Sequence, residues 1–414
     1  MKNKKKVLLK SMFILITFLL CNFSYAQIQY NQTYETTNIT PKTTPVLLPN
    51  QDHSSLRQED SNNKTQPFRY GSQINVNFNL SNSGTITKLD NGDQIWTLTL
   101  ESKNATSLSL IYDNFILAPG TELMIYNKSR TYKRGAFTYK NNKPSYKMAT
   151  SPVPGDTIII ELYEPKHTIG LSKLTISQVI HGYKNIFFQN NTQPNKLTNN
   201  LDASGSCNIN VNCDEGTGWE NDRDSVVVIA ISGALCTGTL VNTTLNNEEQ
   251  YLLTAHHCMP SFTAMLDTAQ FYFNWQASTC DDTTTPDYNS IVGSEMINYH
   301  SETDAVLLKL TTDIPSSYDP AFSGWSRDTS AIESTVGIHH PSGDIKKISV
   351  DTNPPTTSES NYNYIGLDLI TDSSWEVVWE EGTTEAGSSG SALFNNNHQI
   401  IGQLSGGSAS CYYQ

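Results

Sequence analysis

Residues 74–80 alternate apolar and polar side chains at every step: Ile74-Asn75-Val76-Asn77-Phe78-Asn79-Leu80. A two-residue period sets one face of a strand against a core and the other in water. The theme returns in Gln94-Ile95-Trp96-Thr97-Leu98-Thr99-Leu100 and in Ser107-Leu108-Ser109-Leu110-Ile111-Tyr112, with Asp90-Asn91-Gly92-Asp93 as a turn between strands. Residues 122–127, 157–163 and 171–180 read as further strands, and Pro152-Val153-Pro154-Gly155-Asp156 as a loop. Short strands at regular spacing with polar turns predict an all-β fold, here a β-sandwich over residues 69–182. His167 and His181 stand isolated in it and read as structural or solvated. Residues 27–68 are rich in Thr, Asn, Gln and Pro without a period, which predicts an extended or disordered spacer. Residues 183–203 are Asn-rich and polar, which predicts a linker.

The amino terminus has a different pattern. Four lysines in Met1–Lys6 precede an apolar run from Val7 to Leu20, and Ser24-Tyr25-Ala26 supplies small residues at a cleavage position. Residues 1–26 therefore read as a secretory leader, and the protein as exported. After them no stretch is apolar enough to cross a membrane.

Composition supports export: charged residues are only 16%, while Asn, Thr and Ser abound. The net charge of -13 is unevenly divided. Residues 1–201 hold 22 basic and 12 acidic side chains, residues 202–414 hold 5 and 28. An acidic surface is usually a solvated one. The sharper reading is attraction of the acidic half to the basic half or to basic substrates. A half this acidic is a poor partner for nucleic acid.

Cysteines sharpen the picture. Beyond Cys21 there are six: Cys207, Cys213, Cys236, Cys258, Cys280 and Cys411. An even number in an exported chain predicts three disulfides, with 15 connectivities open. Zinc ligation by His256, His257 and Cys258 is disfavoured, because no Cys-x-x-Cys or His-x-x-x-His spacing accompanies them. No metal and no cofactor are expected.

The candidate chemistry lies in this acidic half. Glu385-Ala386-Gly387-Ser388-Ser389-Gly390-Ser391 reads as a glycine-flanked turn presenting a serine hydroxyl. A serine needs a base within hydrogen-bond reach, and the base needs an orienting carboxylate. Thr254-Ala255-His256-His257-Cys258 and Thr303-Asp304-Ala305-Val306-Leu307-Leu308 supply both upstream. The order His, Asp, Ser with gaps of 47 and 85 residues suits a two-barrel serine protease.

Cys236-Thr237-Gly238-Thr239-Leu240 followed by Leu253-Thr254-Ala255-His256-His257-Cys258 resembles the histidine region of trypsin-like serine proteases, especially that of bacterial lysyl endopeptidases. Gly205-Ser206-Cys207-Asn208-Ile209, Gly337-Ile338-His339-His340-Pro341 and Gly387-Ser388-Ser389-Gly390-Ser391 resemble the same subfamily. The resemblance covers residues 204–414. It implies two packed six-stranded β-barrels and the pairs Cys207–Cys411, Cys213–Cys280 and Cys236–Cys258. It makes His257 the general base, Asp304 its orienting carboxylate and Ser389 the nucleophile. The N–H groups of Gly387 and Ser389 would form the oxyanion hole. Ser405, Gly406 and Gly407 would bind the substrate backbone. His256, His339 and His340 stay outside the catalytic set.

Three features depart from the resembled pattern. Ser388 stands where animal trypsins carry an Asp that pairs with a new amino terminus. Ser405 stands about where the lysyl enzymes carry a histidine. The family continues past Gln414 with the segment lining its specificity pocket, a last strand and a closing helix, so either this sequence is a fragment or the second barrel lacks them. The expected function is a secreted serine endopeptidase, with cleavage after Lys or Arg. Its partners would be protein or peptide substrates and its own pro-region. The amino-terminal half resembles the pro-regions of such proteases, with an activation site in residues 183–203. The alternative is a protease-like surface or binding protein that does not turn over.

Overall fold

Val226–Ile231 shows how the sequence builds the centre of the molecule. All six residues are apolar and all are buried. Val227, Ile229 and Ile231 enter one core cluster, Val228 and Ala230 another. A strand covered on both faces reads as an unbroken apolar run. The computed structural model describes residues 43–62, 67–188 and 204–412, apart from 260–262, 283–285, 287, 331, 358–362, 365–366, 369 and 371–372. The expected leader and residues 189–203 of the expected linker lie outside the described residues. Among the described residues no helix is long and apolar enough to cross a membrane.

Two sheets make the amino-terminal half. One runs Val46–Leu47, Gln94–Glu101, Thr157–Glu164, Glu122–Asn127, Lys133–Phe137, with Thr85–Lys88 also paired to Gln94–Glu101. The other runs Val153–Pro154, Ser107–Ile116, Lys173–Gly182, Gly71–Asn79, with Met148–Ala149 beside Ser107–Ile116. Leu98, Ile125 and Ile160 of the first share a core cluster with Leu110, Tyr112 and Ile176 of the second.

The expected spacer and linker both need correction. Within residues 27–68, Val46–Leu47 joins the first sheet, α1 spans His53–Asn62 and β1 is Phe68–Arg69. Asp52 starts α1: its Oδ1 accepts the N–H groups of Ser54 at 3.0 Å and Ser55 at 3.4 Å, as an N-cap does. The helix buries no residue, so no apolar period announces it. Polar contacts hold it instead. Asp60 accepts from Tyr183 Oη at 2.7 Å and pairs with Lys184 at 2.8 Å, while Arg57 donates to Tyr183 O at 2.8 Å. Tyr183, Ile186 and Phe187, the first residues of the expected linker, are buried core.

Among the described residues the carboxy-terminal half holds two large sheets and two two-stranded ones. The eight-stranded one contains β2 (Val226–Ile231), β3 (Ala234–Val241), β4 (Tyr251–Ala255), β5 (Gln270–Phe273) and β6 (Ala305–Leu310). Its order is Asn289–Val292, β5, β2, β3, β4, β6, Ser294–His300, with β1 of the amino-terminal half paired to β3. The six-stranded sheet contains β7 (Thr335–His339), β8 (Ala392–Asn395) and β9 (Gln399–Gln403). Its order is Ile209–Asn210, Lys347–Asp351, β7, β8, β9, Gly324–Trp325. Val336, Ile338, Phe394 and Ile400 centre its core. Disulfides join Cys207 to Cys411, Cys213 to Cys280 and Cys236 to Cys258, across sequence separations of 204, 67 and 22. The first ties the start of this half to its end.

The halves meet along an aromatic seam. Phe187 lies 5.4 Å from Tyr70, 5.5 Å from Tyr272 and 5.8 Å from Trp275, centroid to centroid. One apolar cluster therefore runs from the amino-terminal sheets into Val228, Ala230, Tyr272 and Trp275.

Candidate active site

The site is assembled by three neighbouring strand ends. β4 and β6 pair antiparallel up to Ala255↔Ala305, so the residues just beyond that pair are neighbours. His256–Cys258 forms a single turn after β4. Asp304 precedes β6 in the left-handed region, with φ 51° and ψ 32°. A non-glycine residue there is held by its surroundings. Here His256 N–H donates to Asp304 O at 2.8 Å. Gln403 at the end of β9 donates its Nε2 to Asp304 O at 2.8 Å and to Thr303 O at 3.2 Å.

This backbone conformation aims the Asp304 side chain at His257. Oδ1 accepts His257 N–H at 2.7 Å and Oδ2 lies 2.7 Å from Nδ1. Asp304 is fully buried and His257 nearly so. The carboxylate fixes the imidazole so that Nδ1 carries the proton and Nε2 keeps its lone pair. His256 points elsewhere: its ring stacks on Tyr299 at 4.9 Å.

Ser389 reaches the same corner through β3. Thr237 N–H donates to Ser389 O at 2.9 Å, and Thr237 Oγ1 donates to Gly387 O at 2.9 Å. The Cys236–Cys258 disulfide sits between: Cys258 Sγ is 3.9 Å from Ser389 O, and a His257 ring nitrogen is within 4.8 Å of both sulfurs. Those three groups have metal-like spacing, but both sulfurs are spent in the disulfide and offer no thiolate. Among the described residues no hydrogen bond joins Ser389 Oγ to His257.

The turn is rigid on every side. Gly387 adopts φ +98° and Gly390 φ +84°. A Cβ at 390 would lie 2.1 Å from Thr254 Oγ1, so the sequence needs glycine there. Ser342 N–H donates to Ala386 O at 2.6 Å, and Gly390 N–H to Leu404 O at 2.9 Å. Among the described residues, the N–H groups of Gly387 and Ser389 have no acceptor in the chain. Free N–H groups flanking a serine suit a developing oxyanion.

Ser388 is buried within a hydrogen-bond chain. Glu385 N–H donates to Ser388 Oγ at 3.2 Å, and that hydroxyl donates to His339 Nδ1 at 2.8 Å. His339 Nε2–H donates to Ser349 Oγ at 3.0 Å, which donates to Thr383 O at 2.9 Å. Burial lowers the His339 pKa to about 3 and keeps the ring neutral. His340 is also buried and held well below its usual range by burial, with Nδ1 3.0 Å from Asp344 O.

Ser405, Gly406 and Gly407 line a cavity of about 460 Å³ beside the serine turn, together with Trp375, Trp379 and Ser391. Sequence reasoning missed Thr237 and Gln403. Thr237 follows a cysteine and Gln403 lies within the stretch 400–407 expected to pair with substrate, but neither position carries a local pattern that signals its long-range contact.

Comparison with known proteins adds three findings. The family model for the lysyl endopeptidase C-terminal domain matches residues 201–414, more than half the chain. A lysyl endopeptidase of Pseudomonas aeruginosa is 29% identical over 284 residues, covering 63% of this chain and 57% of that protein. The chain thus spans little more than half the length of that relative. Among solved structures, the inactive form of the Rv3671c protease aligns with TM-score 0.32 and 15% identity, and Deg5 with 0.31 and 13%. Each alignment covers 46% of this chain and 83% of the other.

Proposed function

The chain belongs to the lysyl endopeptidase family, and on that premise we propose that it is a secreted serine endopeptidase that cleaves after Lys or Arg. The observation that carries this reading is the double hydrogen bond from His257 to the buried Asp304 carboxylate, beside a turn with two unused N–H groups. In this mechanism Ser389 Oγ attacks the scissile carbonyl carbon while its proton passes to His257 Nε2. Asp304 stabilises the imidazolium without taking its proton. The N–H groups of Gly387 and Ser389 receive the oxyanion, a contribution of about 3 kcal/mol per donor. The imidazolium then protonates the leaving amine and the C–N bond breaks. Water, deprotonated by the same histidine, releases the acyl group and restores Ser389.

The proposal extends to the whole chain. Residues 1–26 direct export, and three disulfides suit an oxidising compartment. The amino-terminal half, a β-sandwich, is a pro-region that assists folding and delays activity. The carboxy-terminal half holds two barrels with the site between them. Ser405, Gly406 and Gly407 pair with the substrate backbone by strand addition. A fluorophosphonate tests the core of this proposal. It should label the wild-type protein at Ser389 and leave Ser389→Ala unlabelled. Equal labelling of both, or of neither, would favour a protein that binds without turnover.

A further inference from the structure

One edge of β3 serves three neighbours in turn. β4 pairs with its end, Thr239–Val241. Thr237 N–H binds Ser389 O in its middle. β1 pairs with its start, Ala234↔Arg69 and Leu235↔Phe68, antiparallel. Successive residues of a strand face opposite edges, so positions 235, 237 and 239 face the same one. β1 therefore lies on the edge that holds the serine turn, two residues away from it.

The Phe68 side chain confirms that closeness. A Cβ built on Gly343 would lie 2.8 Å from Leu235 Cδ1, 3.1 Å from Phe68 Cε1 and 3.2 Å from Ile186 Cδ1. A Cβ on Gly387 would lie 3.3 Å from Gly343 N. Phe68 thus packs on the backbone that abuts the oxyanion turn. On the opposite side, Leu404 pairs with Gly390 and Ser391 and leads into Ser405–Gly407. A peptide lying on Ser405–Gly407 and passing Ser389 must leave along Leu235 and Ala234.

Resting on the triad reading above, we infer that Phe68 and Arg69 are an autoinhibitory strand, occupying the groove for residues that follow the scissile bond. Once β1 leaves, the exposed edge of Ala234–Leu235 takes an extended peptide, and the apolar surface of Leu235 and Gly343 takes an aromatic side chain. β1 is well anchored. Arg69 pairs with Glu59 and Asp60 of α1, each at 2.9 Å, and Tyr70 N–H donates to Gly233 O at 2.8 Å. All these anchors except Gly233 precede residue 189, so cutting the linker leaves β1 in place. Release needs departure of the amino-terminal half.

The test compares two substrates on the full-length chain, its mass verified. One is a nitrophenyl ester of lysine, with no residue after the scissile bond. The other is a fluorogenic peptide with four residues after lysine. Phe68→Gly should lower KM for the peptide about tenfold at unchanged kcat, because the competing occupant is weakened. Its ester hydrolysis should match wild type, which also reports that the variant is folded. Equal peptide KM in the two proteins, with ester hydrolysis intact, would overturn the inference and leave the triad standing. Loss of ester hydrolysis in wild type would overturn the triad reading and this inference with it.

Discussion

The eight-stranded sheet meets its neighbours at two places that differ in what sits at their centre, aromatic rings at one and the serine turn with its hydrogen bonds at the other. At the seam with the amino-terminal half, Tyr70, Phe187, Tyr272 and Trp275 bury ring against ring. Polar links cross the same boundary around these rings: Ser151 Oγ donates to Gln270 Oε1 at 3.2 Å, Gln73 Nε2 to Ser232 O at 3.2 Å and Tyr70 N–H to Gly233 O at 2.8 Å. Towards the six-stranded sheet, Val226 and Val241 share an apolar core with Val336 and Phe394, and directional polar contacts are added at the cleft: Gln403 to Asp304 and Thr237 to Ser389. Apolar burial is non-directional and scales with area. Hydrogen bonds lose their worth within a few tenths of an ångström or some tens of degrees. The seam thus supplies stability that tolerates small shifts, and the cleft supplies geometry that does not.

Substitutions should separate the two. Ser389→Ala should lower kcat about a million-fold, with an unfolding midpoint close to wild type. A midpoint shifted as far as by a core truncation would mean that the cleft carries the fold. Asp304→Asn should cost about 10⁴ in kcat, because the imidazole loses its orienting carboxylate. On the seam, Phe187→Ala should destabilise by about 3–5 kcal/mol in urea titration while the folded protein keeps its rate on a small ester. A large loss of kcat there would break the comparison.

The last expected effect is one of pH. His339 is neutral in the fold with its pKa lowered to about 3 by burial, whereas an unfolded histidine titrates near about 6.5. Below that pH the unfolded chain binds a proton that the fold refuses. Stability therefore falls as pH drops from about 6.5 towards 3, by up to about 1.4 kcal/mol per pH unit for this histidine. His340 adds in the same direction. Asp344, raised to about 6 by burial, opposes them: its contribution is present below about 4 and lost as pH rises through 6. Urea midpoints measured from pH 6.5 to 4 should fall, and a rising trend would contradict the burial of these histidines.

What the sequence made legible follows the same division. Strands with one face in a core could be read: the alternation at 74–80 falls in Gly71–Asn79 except for its last residue, and residues 122–127 are a strand with those limits. The serine, histidine and aspartate stood out because each sits in a local pattern. α1 did not, because its contacts are polar and reach residues such as Tyr183 and Lys184, far along the chain. Phe187 lay hidden in a polar stretch, its partners Tyr272 and Trp275 more than 80 positions away. β1 is two residues long, too short to carry a period. Gln403 acts only because Asp304 takes a left-handed turn, which a side-chain pattern does not encode.

The central claim is that Ser389 forms a covalent acyl intermediate in a site the fold has already assembled. Active-site titration with nitrophenyl guanidinobenzoate tests it most directly, since this ester acylates a serine and then hydrolyses slowly. The account predicts a burst of nitrophenol equal to the protein concentration in wild type and no burst in Ser389→Ala. The same burst in both proteins, or none in either, would contradict it.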